Sequence, residues 1–252
     1  MNDVARWLGG ALVGWACLVA VGLPFIATAL WSLSRRGRDV GLGRLLLLAV
    51  FFFVSLALTR LGMFWTLVRD PWQTMILEAA WALAFILGTR SVSRAGLTWR
   101  ISARAWRDSL IVTGVLLVFV VARSSLLRFL GIGVNTSVPV AFEYLLYQLT
   151  MPGVAEELCY RGVIQPGLNR SLGRPWKLWG AQVGWGWVIT SLIFWALHAF
   201  RVDSQMRLTF YWPTLTMQLI VGFALGWMRE RTGSLFPSML AHNLVNVVWT
   251  LV

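Results

Sequence analysis

His198 and His242 are the only histidines in 252 residues, and both lie in stretches apolar enough to cross a membrane. A third apolar stretch carries Glu156-Glu157-Leu158-Cys159-Tyr160-Arg161. A charge near the centre of a bilayer helix costs on the order of 2.5–3.5 kcal/mol on insertion scales, which makes such residues candidates for function. Two carboxylates and two imidazoles at membrane depth suit hydrolysis by an activated water. A carboxylate removed from bulk water is a better general base at neutral pH. Glu156, helped by His198, can therefore hold and deprotonate a water. His242 and Asn246 are four apart on one helical face and can donate to the developing oxyanion, a role worth roughly 2.7–4 kcal/mol per donor.

Glu157 and Arg161 are also four apart, in the polarity that favours pairing. Arg161 neutralises Glu157 and leaves Glu156, about 100° round the helix, as the free carboxylate. Pro152-Gly153 predicts a break or kink just upstream. Both glutamates then fall in the first turn of a new segment, at the positive end of its dipole. A hairpin returning through the basic loop at 170–177 would bring His198 back beside Glu156.

Each feature alone has a plainer reading. The acidic pair reads as an Arg-paired interfacial cluster, His198 as an interfacial or core histidine, and His242, Asn243 and Asn246 as groups that hydrogen-bond between helices. Their convergence from three helices is what points to a site. Cys159 reads as a small apolar filler, and no serine or cysteine stands with a histidine in a pattern that would support an acyl-enzyme.

The elements that must position these groups are transmembrane helices. Hydrophobic residues make up 58% of the chain and mean hydropathy is +0.70, too apolar for a soluble domain. Charged residues are 13% of the total, about half of the ~25% usual in soluble proteins. Apolar runs of roughly twenty residues match a bilayer core as helix, and strand alternation is absent. The fold class expected is all-α, a polytopic transmembrane bundle of about eight spans. Their ranges are 9–33, 45–68, 73–89, 109–130, 138–168, 180–200, 211–228 and 234–252. The whole chain, 1–252, reads as one membrane domain, with variable N-terminal spans over 1–137 and a catalytic core over 138–252. The first run, from about Leu8 to Leu33, is too long for a signal-peptide core and reads as the first span.

The net charge of +12 does not indicate nucleic acid, because the arginines punctuate the apolar runs instead of forming one stripe. Arg35, Arg36, Arg38 and Arg44 follow the first span. Arg90, Arg94, Arg100, Arg104 and Arg107 follow the third, then Arg170, Arg174 and Lys177 the fifth, and Arg229 and Arg231 the seventh. By the positive-inside rule these alternate loops are cytoplasmic and both termini lie outside. Arginines alternating with Leu97, Trp99, Ile101 and Trp106 fit either a helix lying on the cytoplasmic surface or an ordinary positive loop. Arg60 and Glu78 fall inside spans two and three and are expected to pair. Gly222-x-x-x-Gly226 fits close helix packing. Cys17 and Cys159 form no disulfide framework.

Glu156-Glu157-x-x-x-Arg161-Gly162, then Phe194-x-x-x-His198, then His242-x-x-x-Asn246 resemble the three signatures of the CAAX protease and bacteriocin-processing family (CPBP or Abi), intramembrane glutamic endopeptidases. The approach to the last motif, Gly222 to Gly226 and Arg231 to Leu235, is also typical of bacterial members. The resemblance covers about residues 140–250. It implies Glu156 as base with His198, His242 and Asn246 as oxyanion donors, Glu157 and Arg161 as a supporting pair, and Phe194 as packing. It implies a multi-pass protein of the cell membrane that acts on a protein or peptide substrate there, in contact with the lipid bilayer, with no metal or other cofactor and no nucleic acid. Oligomeric state and substrate are left open. The same Glu and His residues would also suit a zinc-dependent protease of the His₂Glu type, although no His-Glu-x-x-His lies on one helix. A non-catalytic immunity or scaffold protein is the reading from another class.

Overall fold

Apolar runs without alternation form helices, since only helix satisfies their backbone groups within the segment. The computed structural model describes residues 3–34, 41–59, 71–132, 140–202, 207–211 and 215–252. In chain order the helices are α1 (Asp3–Ser34), α2 (Leu42–Thr59), α3 (Pro71–Gly88), the single turn α4 (Val92–Ala95), α5 (Ala103–Phe129) and α6 (Phe142–Glu157). A π-helical segment, Leu158–Ile164, continues α6 directly into α7 (Gln165–Leu172). The rest is α8 (Trp185–Ala199), α9 (Leu215–Thr232) and α10 (Phe236–Leu251). Two short antiparallel hairpins interrupt this order, β1 (Trp176–Leu178) with β2 (Ala181–Val183), and β3 (Phe200–Val202) with β4 (Leu208–Phe210).

Three described helical stretches are long and apolar enough to cross a bilayer: Leu8–Trp31, Leu42–Thr59 and Ala103–Phe129. The expected eight are not reached on those terms. Helices α6 and α10 are each 16 residues long and carry the polar groups of the site, and α8 is apolar but shorter. The long helices are inverted relative to soluble ones. Along α5 the buried stripe is Ala105, Ser109, Thr113, Leu116 and Val120, while Leu110, Ile111, Val115 and Val118 point outward. A soluble amphipathic helix would put charged residues on that outer face. Lipid is the solvent this face fits.

One apolar core joins α1, α2 and α3 to the π segment, α7 and α8. A second joins α5, α9 and α10 with the first hairpin. Between them, α6 packs along α10 and α8 packs on α9. Glycines set the close approaches. A Cβ at Gly222 would come within 3.2 Å of both Phe194 and the Ser191 carbonyl, and one at Gly226 within 2.7 Å of Trp187. The Gly-x-x-x-Gly face thus seats α9 against α8.

One expectation is corrected and an open alternative is decided. Helix α6 runs through Pro152 without a break. Asn243 braces the helix beside the proline: its Oδ1 accepts from the Gly153 amide at 2.8 Å, and its Nδ2 donates to the Thr150 carbonyl at 3.3 Å. Glu156 and Glu157 therefore end a helix rather than begin one, next to a π turn. Of the two readings of the basic segment after α3, the loop is the one observed between the single turn α4 and the start of α5. It is a strap tied to the α9–α10 turn, because Leu235 N–H donates to Gly96 O, Ser234 Oγ to Thr98 O and Arg229 Nη2 to Arg94 O. Trp99 stacks on Phe236 over the same turn.

Candidate active site

The end of α6 supplies Glu156 and Glu157, and the π segment supplies Arg161. Glu157 and Arg161 are fully buried and form an ion pair, Oε1 to Nη1, at 3.1 Å. A π turn widens the helix locally, and such turns recur at functional sites. Gln165 N–H donates to Tyr160 O, the five-residue bond that closes it. Arg161 reaches further, donating from Nη2 to the Gly222 carbonyl at 3.1 Å, which also accepts from Ser191 Oγ at 3.0 Å. One guanidinium thereby ties the π segment to α9. Its carbon stands 4.4 Å from the centre of the Phe194 ring, a cation–π distance.

Helix α10 brings His242 against both glutamates. Its Nδ1–H donates to Glu157 Oε1 at 3.0 Å, and its Nε2 lies 3.9 Å from Glu156 Oε2. A carboxylate accepts only, so the proton toward Glu157 sits on Nδ1, and Nε2 is the nitrogen facing Glu156. Glu156 is the less enclosed of the two acids, with a side chain 13% exposed against 0% for Glu157. Its Oε2 accepts no hydrogen bond among the described residues.

Helix α8 contributes Phe194 and His198. The His198 Nδ1 lies 2.8 Å from the Phe194 carbonyl, so Nδ1 carries the proton and Nε2 the lone pair. The Phe194 ring lies 4.6 Å from the His198 ring and 5.7 Å from the His242 ring, and it holds both imidazoles around one buried phenyl group. His198 also interacts electrostatically with Glu156, His242 and Arg161.

Asn246 is one turn beyond His242 on α10 and half-buried. Its side-chain amide makes no hydrogen bond among the described residues, so it is adjacent to the cluster without being tied into it. The structure thus brings Glu156, Glu157, Arg161 and His242 into direct contact and joins His198 to them through Phe194. Among the described residues, no three His, Cys, Asp or Glu side chains are arranged to hold one metal ion.

Some participants were not legible beforehand. Glu78 is buried in α3, accepts from Ser55 Oγ at 2.8 Å, and interacts electrostatically with Glu156. Cys159 lies 3.6 Å from the same Ser55 oxygen. A further carboxyl group thus backs the site. Arg60, its expected partner, lies outside the described residues. The Asn243 bond to Gly153 was foreshadowed only by the position of Asn243 at the edge of the His242 face.

Residues 137–248 match the sequence model of the type II CAAX prenyl endopeptidase Rce1-like family, a range that contains all three motifs. That part of the chain is similar to the Rce1-like family, and the match leaves residues 1–136 aside. Over 119 residues, 46% of this chain, the sequence is 33% identical to the uncharacterized protein YpbD of Bacillus subtilis (strain 168). The chain spans about half the length of that relative, 50%. No solved structure gives a significant match.

Proposed function

We propose that this protein is an intramembrane endopeptidase, multi-pass in the cell membrane, that hydrolyses a peptide bond of a membrane-associated protein or peptide with a water activated by Glu156. The observation that carries this reading is the bridging of Glu156 and Glu157 by His242, with Glu157 already committed to Arg161. Each acid keeps one buried oxygen that accepts no hydrogen bond among the described residues, but Glu156 has no arginine partner there and is the more exposed of the two.

In the proposed reaction, Glu156 takes a proton from water as its oxygen attacks the scissile carbonyl carbon. His198, through Nε2, orients that water. The tetrahedral oxyanion takes hydrogen bonds from Asn246 Nδ2 and from Nε2–H of His242 in its imidazolium form, which takes its second proton from solvent before the substrate binds. Collapse breaks the C–N bond, and the proton held by Glu156 passes to the departing amine. Glu157 and Arg161 do not touch the reacting atoms; they position His242 and the π segment. The bundle is proposed to cross the bilayer on its less apolar helices as well, shielded by the three long apolar ones.

Purified protein in liposomes is presented with a panel of fluorogenic peptides carrying either a lipid anchor or a transmembrane segment, before and after chelation. Cleavage that survives chelation, with no covalent acyl adduct in the intact-protein mass during turnover, supports the reading. Loss of cleavage on chelation with recovery on added zinc would replace it by the metal-dependent alternative. No cleavage across the panel would favour a non-catalytic binding role.

A further inference from the structure

A cavity of about 180 Å³ lies away from the glutamates, between the start of α2, the end of α3 with α4, and the π segment with α7. Three arginines line it: Arg44 from α2, Arg94 from α4 and Arg170 from α7. The hydroxyls of Thr89 and Ser91 complete its polar side, 2.8 Å apart. Among the described residues that line it, none is acidic. Arg44 also donates to Ser171 Oγ at 3.3 Å, and Arg94 and Arg170 on the other walls can give an anion in the cavity charge-assisted hydrogen bonds.

The remaining wall is apolar. Leu47 lines the cavity and is 46% exposed, and Val50, one turn deeper along the same face of α2, is 58% exposed. The polar mouth thus opens onto a surface suited to a hydrocarbon chain. All three arginines also belong to the side that the positive-inside rule assigns to the cytoplasm, where anionic headgroups concentrate.

We infer that this cavity is a binding site for a phosphate-bearing anion, occupied by the headgroup of an anionic phospholipid whose acyl chain lies along Leu47 and Val50. The inference is independent of the proposed peptidase activity. Its floor is the helical turn that follows Arg161, through Gly162, Val163 and Pro166. An occupied site therefore braces the segment that carries the buried ion pair.

The test compares retained lipid, by native mass spectrometry, and thermal stability in phosphatidylglycerol and phosphatidylcholine nanodiscs. A third arm adds inorganic phosphate to the phosphatidylcholine sample. Wild-type protein is expected to retain phosphatidylglycerol and to melt higher in it. The double variant Arg94→Gln/Arg170→Gln should lose that rise and weaken retention on the order of 30-fold. Removing the same charge outside the cavity, Arg100→Gln/Arg104→Gln, should leave both near wild type. A rise produced by inorganic phosphate alone, and lost in Arg94→Gln/Arg170→Gln, keeps the site but makes its occupant the free anion. Equal losses in the two double variants, or no difference between the lipids, would overturn the proposal, since a diffuse basic surface would then explain the binding.

Discussion

His242 donates from Nδ1 to Glu157 Oε1 at 3.0 Å while its Nε2 stands 3.9 Å from Glu156 Oε2, so one imidazole joins two adjacent carboxylates that play different parts. Glu157 is spoken for by Arg161. Glu156 is not, and that asymmetry divides structure from chemistry at this site.

Removing one member of the buried pair should unfold the site rather than slow it. Glu157→Gln leaves Arg161 buried with its counter-charge gone, a change that costs about 3–5 kcal/mol in comparable pairs. The expected result is a large drop in melting temperature in detergent or nanodiscs, with His242 losing its anchor. Glu156→Gln, at a position with no such partner, should melt within a few degrees of wild type.

At the α6–α10 crossing, a methyl group on Gly153 would press on Asn243 and come within 2.6 Å of the Met239 carbonyl. Gly153→Ala should destabilise by about 1–3 kcal/mol through overpacking. Asn243→Ala should cost a similar amount by stranding the Gly153 amide. Because both changes act on one contact, the double variant should lose less than the two single effects combined, which a thermal denaturation cycle measures.

Replacements of His198 separate its two nitrogens. Asn places its amide near the Nδ1 position and keeps the bond to Phe194 O, whereas Gln reaches toward Nε2. If Nε2 orients the water, His198→Gln should retain more turnover than His198→Asn, at comparable stability. Equal turnover in both would remove His198 from the reaction.

Asn246→Ala tests the proposed oxyanion contact. Loss of one such donor lowers turnover roughly 10²–10³-fold in measured cases, with little effect on substrate binding. The side chain makes no hydrogen bond among the described residues, so stability should hardly change. A loss confined to KM would assign Asn246 to substrate binding instead.

What could be read beforehand follows the range of the interactions. The pairs Glu157–Arg161 and His242–Asn246 are four apart, and helical periodicity alone puts each pair on one face. The lipid-facing helices were legible from their apolar runs. The fate of the chain at Pro152 was not, because it depends on Asn243, ninety positions away. Local sequence favours a break there, and the helix that continues instead is braced by a side chain from another helix. The π segment has no residue signature either. Its wide turn accompanies Arg161 contacts to α8 and α9 that only the assembled bundle provides. The pairing of Glu78 with Arg60 is untested, because Arg60 lies outside the described residues; among these, Glu78 accepts from the Ser55 hydroxyl.

The most direct test of the central claim compares wild-type protein and Glu156→Gln in liposomes, on whichever membrane-anchored peptide of the panel the wild type cleaves. Loss of a general base predicts a fall in turnover of roughly 10²–10⁴-fold at unchanged melting temperature. Cleavage by folded Glu156→Gln at the wild-type rate would contradict Glu156 as the residue that activates the water.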